Sequence, residues 1–218
     1  MALKPSLLKF TTATPILANY DYTDADEGTG TIIFYPGTGT DKNILRKKAF
    51  YSNEVISSSI GPTAATKELD LDFDIQFNTP KTIKGQALIT VPVGISMANA
   101  INITSAYVIA NIIHYDGTSE TNIGTNTSDT LSLDGCGVSS EDKSQVFCIE
   151  IDLTDKLFAS GDILRINLQL YCSVNGNANA GAISIGHDPK NRTEDLPRGT
   201  GTINPTICEA HIPFKLDI

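Results

Sequence analysis

The stretch LDLDFDIQF, residues 69–77, alternates apolar and polar side chains without a break. Successive side chains of a β-strand point to opposite faces, whereas a helix would scatter these apolar groups around its circumference. The stretch therefore predicts a strand whose odd-numbered residues, from Leu69 to Phe77, lie on a buried face. Asp70, Asp72 and Asp74 are predicted to face water.

The same alternation returns three times toward the C-terminus, in VFCIEIDL (146–153), DILRINLQLYC (162–172) and HIPFKLDI (211–218). Strands of parallel sheets are buried on both faces and read as continuous apolar runs. The regular polar faces seen here instead predict an antiparallel sheet with one side in water.

Further strands are predicted at 31–35, 85–96, 101–116, 127–134 and 181–186. The segments between the later strands are dense in Gly, Asn, Ser, Pro and Asp, which favour turns; they are 78–85, 116–126, 135–144, 158–162 and 175–181. Residues 49–68 hold at most one predicted helical turn. Many short strands without a sustained helical pattern indicate an all-β fold, an antiparallel jelly-roll β-sandwich with an N-terminal arm or hairpin.

The chain has 218 residues, enough for one sandwich with a real core. Residues 1–60 are predicted to form the arm and outer strands of the same unit, and residues 61–218 the jelly-roll sandwich. A formal net charge of -9 argues against nucleic acid as a partner, because phosphate binding needs clustered Lys and Arg. No apolar run is long enough for a membrane helix or a secretory signal, so neither membrane insertion nor general secretion is expected.

An acidic segment near the N-terminus is the one candidate cation site in the sequence. Asp21, Asp24 and Asp26 could collect carboxylate oxygens around Ca²⁺, but they lack the ligand spacing of an EF-hand loop. A solvated acidic loop is the simpler interpretation. No cofactor is expected.

Two other stretches are candidate interface segments. Arg46, Lys47 and Lys48 form the chain's basic cluster, for which a solvated strand end is the alternative. His187 and Asp188 precede Pro189 at the end of the predicted strand 181–186, where Asp-Pro favours a turn and loops of a rigid scaffold often bind partners.

Enzyme chemistry has little support in the sequence. His114 and His211 fall within predicted strands, and no G-x-S-x-G elbow positions a nucleophile, so we expect the chain not to be an enzyme. A hydrolase on the same fold stays open. The four cysteines show no C-x-x-C spacing and are predicted to be buried free thiols.

Four segments together carry a resemblance to a known family: YDYTDADEGTGTIIFY (20–35), FASGDILRINLQLY (158–171), GAISIGHDPKNR (181–192) and IPFKLDI (212–218). The combination resembles jelly-roll decoration or minor capsid proteins of tailed-phage heads, and the likeness spans most of the chain. These segments are strand and turn patterns, not catalytic signatures.

The resemblance implies a structural role in the virion. Proteins of this kind form trimeric caps on the outer capsid lattice, so the expected partners are the major capsid protein and further copies of the chain, as a homotrimer. The expected location is the capsid surface after synthesis in the host cytoplasm. The alternative is a carbohydrate- or receptor-binding jelly-roll module, for which Tyr20, Tyr22, Tyr51 and Tyr115 are possible contacts, although the chain has no Trp.

Overall fold

The computed structural model describes residues 29–38, 43–48, 55–59, 66–97, 102–132, 141–175, 181–186 and 208–215. These segments form twelve strands, with no helix among them, and they belong to one compact unit, Thr29–Lys215. The predicted all-β fold class is confirmed. Residues 1–28 of the predicted arm lie outside the described part of the chain.

The strands in chain order are β1 (Thr29–Thr38), β2 (Asn43–Arg46), β3 (Val55–Ser59), β4 (Thr66–Gln76), β5 (Lys81–Met97), β6 (Asn102–Tyr115), β7 (Glu120–Thr127), β8 (Leu131–Ser132), β9 (Glu141–Phe158), β10 (Ile163–Asn175), β11 (Gly181–Gly186) and β12 (Glu209–Lys215).

The first sheet is built around the long strand β5. Strand β9 pairs antiparallel with β5 from Lys81↔Phe158 to Met97↔Glu141. The other edge of β5 is shared, since β12 pairs with its first part and β11 with its last part. Strand β3 then extends the sheet beyond β11, and β1 extends it beyond β12.

The second sheet carries the residues discussed below. Its order is β2, β4, β10, β6 and β7, with β8 pairing at the start of β6. Every pairing within it is antiparallel except the single parallel contact between Ile44 and Asp74. Strand β1 joins the two sheets, because Thr29–Phe34 pairs with β12 and Tyr35–Thr38 pairs with β2.

The inward faces of both sheets share one hydrophobic core. Alternation places Leu69, Leu71 and Phe73 of β4 in this core, as the sequence predicted, while Ile75 of the same face packs at its margin. The even-numbered residues of β10 from Leu164 to Leu170 are fully buried. Because successive side chains of a strand point to opposite faces, the polar residues between the core positions of β4 and β10 form the outer face of this sheet.

Strands β7 and β9 come into close contact at the side of the sandwich opposite β1. The Asn126 side-chain amide donates a hydrogen bond to the Glu150 carbonyl oxygen at 2.6 Å. Gly124 allows this approach, because a Cβ atom there would lie 2.7 Å from the Cγ2 atom of Ile151 and 2.8 Å from the Leu153 Cδ2 atom. A glycine is therefore needed where the two sheets meet.

Several local predictions were wrong. Residues 120–126, predicted as a turn, form most of β7. Of the predicted strand 127–134, Thr127 ends β7 and Leu131–Ser132 forms β8, while the described residues between them are not in a strand. Strand β7 escaped prediction because its side chains are mostly exposed and only Ile123 is buried, so its pairing with β6 and not its burial defines it.

Other turn segments were predicted too long. Strand β5 begins at Lys81 and β9 at Glu141, inside segments predicted as turns. Residues 55–59 of the segment predicted to hold a helical turn form β3, because they pair with β11. Long-range hydrogen bonding overrides the weak local preference of these polar residues.

Candidate functional site

Antiparallel pairing brings the outward side chains of the second sheet into cross-strand rows. Tyr171 of β10 faces Tyr107 of β6, and two residues further along β10, Gln169 faces Ile109. Asn167 faces Asn111 across the same pair of strands. Strand β4 adds Asp70 beside Gln169, Asp72 beside Asn167 and Asp74 beside Arg165. We call this surface of β4, β10, β6 and β7 the polar face.

Arg165 is the charged centre of the polar face. Its Nε and Nη2 atoms donate to the two carboxylate oxygens of Asp74 at 2.8 and 3.0 Å. Its Nη1 atom donates to Glu120 and lies 3.4 Å from Asp72 Oδ2. The guanidinium carbon also lies 5.5 Å from the centre of the Tyr115 ring. The hydrogen bonds to Asp74 raise the pKa of Arg165 above its ordinary value, although burial opposes them.

A chain of hydrogen bonds crosses the polar face from β7 to β4. Thr125 Oγ1 donates to Asn111 Oδ1 at 2.7 Å. Asn111 Nδ2 donates to Asn167 Oδ1 at 2.8 Å. Asn167 Nδ2 then donates to Asp70 and Asp72 at 2.6 and 2.8 Å. The chain satisfies Asn167, which is only 6% exposed, and fixes its orientation.

Asp70 ends this chain as an acceptor. Burial tends to raise the pKa of its carboxyl, but hydrogen bonds from Lys67, Asn167 and Gln169 outweigh burial and lower that pKa. Because an ionised carboxylate only accepts hydrogen bonds, the polar face is rich in acceptors at its β4 side.

A groove of about 430 Å³ opens on the polar face. We call it the outer groove; it is lined by Asp70, Asp72, Asn111, Ile113, Glu120, Asn122, Asn167 and Gln169. The sequence predicted a solvated polar side for β4 and β10, but it placed Glu120 and Asn122 of β7 in a turn. It did not indicate a groove, because β10 is far from the other three strands in the chain and only the sheet order places their side chains together.

A second cluster joins the end of β6 to the turn between β9 and β10. His114 is 6% exposed, and its Nε2 atom donates to Asp162 Oδ2 at 2.7 Å. Asp162 Oδ2 also accepts from the Ala159 amide at 2.8 Å. The His114 ring meets Phe158 edge-on, with ring centres 4.6 Å apart. The parity of β6 was the sequence signal for this burial, because His114 continues the inward positions 106, 108, 110 and 112.

The pKa of Asp162 is lowered, chiefly by the His114 hydrogen bond and next by the Ala159 amide. A carboxyl with a depressed pKa in the folded state contributes stability above its unfolded pKa, and this contribution is lost as pH falls through the folded pKa. We expect Asp162→Asn to lower the melting temperature at about pH 7, and the difference from wild type to shrink as the pH falls below about 4.

Thermal unfolding followed by circular dichroism from neutral to acid pH checks this expectation. Asp155→Asn is the matched control, because Asp155 is exposed and makes an exposed ion pair with Lys84 at 3.5 Å. Parallel pH profiles for wild type and Asp162→Asn would contradict the linkage of Asp162 ionisation to folding.

The structure places some of the predicted site residues. Arg46 ends β2, and Lys47 and Lys48 follow it, all three with exposed side chains. They lie apart from the outer groove. The acidic candidates Asp21, Asp24 and Asp26 and the interface candidates His187 and Asp188 lie outside the described residues.

The remaining candidates have local roles in the described structure. His211 bonds Glu209 through Nε2 at 2.9 Å. Tyr115 donates its hydroxyl to the Gly117 carbonyl in the turn after β6. Cys172 and Cys208 are buried and form no disulfide, as predicted, and burial raises the pKa of Cys172 to about 12. The prediction for Cys148 was wrong, because it lies on the outward parity of β9 and is exposed.

No group of three or more His, Cys, Asp or Glu residues in the described part of the chain is arranged to hold a metal ion. Among the described residues there is also no helix of the length and hydropathy needed to cross a membrane.

No protein-family model and no curated protein matches the chain. Solved structures do match. A CocE/NonD family hydrolase from Staphylococcus aureus superposes with a TM-score of 0.52 at 11% identity, over 86% of this chain and 37% of that one. An aminopeptidase from a marine sediment Thaumarchaeota archaeon gives a TM-score of 0.52 at 10% identity, over 87% and 37%. The chain thus spans little more than a third of these proteins, and at such identities the likeness is one of fold alone.

Proposed function

We propose that the chain is a structural protein of a virus particle, a capsid decoration or minor capsid protein that binds the outer head surface and stabilises it. The observation that carries the proposal is the long β5–β9 ladder. These strands have 17 and 18 residues, well above the usual strand length of about 5–6. With the sandwich packed behind it, this ladder makes a stiff scaffold suited to a shell component.

The sequence resemblance adds to this proposal, because its segments form strands that hold the sandwich together. The segment 20–35 ends in β1 and the segment 212–218 begins in β12, and these two strands pair from Thr29↔Lys215 to Phe34↔Ala210. The proposed partners are the major capsid protein and two further copies of the chain in a homotrimer. The exposed cluster of Arg46, Lys47 and Lys48 is a candidate contact with an acidic partner surface.

The hydrogen-bonded histidines favour a structural role over an enzymatic one. His114 Nε2 bonds Asp162 and His211 Nε2 bonds Glu209, and the Nδ1 atom of His114 is buried without a hydrogen-bond partner. A general base needs a nucleophile or substrate proton within hydrogen-bond reach, and among the described residues no hydroxyl or thiol bonds either ring nitrogen of His114. The proposed protein is a binding component without a cofactor.

An antibody raised against the purified chain tests the proposal on virus particles from lysates of the organism that carries the gene. We expect the chain to sediment with filled heads in a density gradient and to be labelled on the particle exterior by electron microscopy. Recovery only in the soluble fraction would overturn the virion assignment.

Light scattering of the purified chain tests the trimer separately. The expected mass is three times the 23.3 kDa of one chain. A monomer in solution would overturn the preformed trimer, and sedimentation of that monomer with heads would leave the capsid-binding role in place.

A further inference from the structure

The outer groove has the size and rigidity of a binding site. Its volume of about 430 Å³ falls within the range of small-molecule sites. Its floor is preorganised, because the buried Asn167 amide is held between Asn111 and the carboxylates of Asp70 and Asp72. Rigid polar groups bind ligands with little loss of side-chain entropy.

The lining narrows the ligand class by charge. Asp70, Asp72 and Glu120 line the groove, and cations at its margin compensate their charge, because Lys67 pairs with Asp70 and Arg165 contacts Asp72 and Glu120. With no Lys or Arg side chain in the lining itself, the groove offers no free countercharge to an anionic ligand. Ile113 is its single apolar lining residue, so an apolar ligand would bury polar groups without partners. The groove suits a polar ligand that is neutral or cationic.

The hydrogen-bonding groups of the lining narrow the class of ligand further. The carboxylates offer acceptors, while Asn111, Asn122 and Gln169 each carry two amide N–H donors and a carbonyl acceptor. Asn122 donates to Asn111 Oδ1 at 3.3 Å, and Asn111 donates onward to Asn167. A site that mixes donors and acceptors at this density matches hydroxyl groups, each of which donates one hydrogen bond and accepts others.

Two tyrosines continue the same surface beyond Gln169. Tyr171 donates its hydroxyl to Gln169 Oε1 at 3.2 Å. The Tyr171 ring stacks on Tyr107 with ring centres 5.1 Å apart and planes 1° apart. The stacked pair extends the polar groove with aromatic surface, which suits a ligand that is both hydroxylated and ring-shaped.

We propose that the outer groove binds a short neutral oligosaccharide, with Asp72, Asn122 and Gln169 bonding its hydroxyl groups. This goes beyond the proposed structural role, since it would give a particle-bound protein a glycan-binding surface. The two ideas are independent, because an outward groove can bind sugar whether or not the chain is part of a capsid.

Binding of purified full-length chain to maltotriose, cellotriose, triacetylchitotriose and lactose tests the proposal by saturation-transfer NMR and calorimetry. We expect saturable binding of at least one of these saccharides. Gln169→Ala and Asn122→Ala should each weaken that binding about tenfold by removing hydrogen bonds. Gln86→Ala is the matched control, because Gln86 is an exposed glutamine of β5 that bonds Asp152 at 3.1 Å.

Three results would overturn the proposal. One is that neither the wild type nor the variants bind any of the four saccharides saturably, although their melting temperatures show that they are folded. Another is sugar binding that both groove variants retain in full. The third is binding of a tetralysine peptide alone, with the steep salt dependence of charge pairing, which would identify the groove as a site for basic side chains of a protein partner.

Discussion

Replacement of Arg165 by Met is expected to destabilise the fold by about 2–4 kcal/mol at neutral pH. The Arg165 side chain is 18% exposed, and it forms a bidentate pair with Asp74, an ion pair with Glu120 and a longer contact with Asp72. Met fills a similar volume but leaves three carboxylates close together without a countercharge. Breaking a pair in this way is far more costly than losing an exposed ion pair.

The pH dependence of the Arg165→Met cost identifies its electrostatic origin. Protonation of the crowded carboxylates relieves their repulsion, so the difference in free energy of unfolding from wild type should shrink toward about pH 3. Urea unfolding at several pH values measures it. Glu120→Gln added to Arg165→Met should recover part of the stability, because it removes one of the repelling charges.

Two further variants separate charge from geometry. Arg165→Lys keeps the charge but cannot make the forked contact with Asp74, and we expect an intermediate loss. Lys84→Met removes a cation from an exposed pair with Asp155 and should cost less than about 0.5 kcal/mol. Equal losses for Lys84→Met and Arg165→Met would contradict a central role for Arg165.

The strands with strict alternation were predictable because burial on one face leaves a period of two in the sequence. Strands β4 and β10 are the clearest cases, since their predicted apolar positions are in or against the core. Strand β7 was missed because it buries little more than Ile123 and is held to β6 by backbone pairing. The residues of β7 themselves do not indicate that this segment pairs with another strand.

The candidate site was predictable only in part, because it depends on contacts between distant parts of the chain. Alternation placed Asp70, Asp72 and Asp74 on a solvated face, which is correct for the exposed Asp70 and Asp72, whereas the Asp74 side chain is only 15% exposed because Arg165 covers it. Their contacts with Arg165 and Asn167 join residues more than 90 positions apart in the chain. The outer groove arises from the order β4, β10, β6 and β7, which depends on how the whole chain pairs.

Among the described core residues near the junction of β9 and β12, Phe77 is expected to be the position where substitution lowers stability most. Its ring meets Phe158 edge-on at 5.4 Å and Phe214 at 5.8 Å, so it links β9 to β12. Its backbone is also fixed, since its amide donates to the Asp162 carbonyl at 2.9 Å and its carbonyl accepts from Gly161 at 2.7 Å. Both the side chain and the backbone of Phe77 therefore stabilise the place where β9 and β12 meet.

We expect Phe77→Ala to lower the free energy of unfolding by about 3–5 kcal/mol, because it leaves a cavity and removes both aromatic contacts. Phe77→Leu fills more of the space and should lose less. Leu157→Ala is the control, since Leu157 precedes Phe158 in β9 but is 61% exposed, and its loss should be within about 0.5 kcal/mol. Urea unfolding compares the three variants, and a Phe77→Ala loss no larger than that of Leu157→Ala would show that the aromatic junction does not hold β9 to β12.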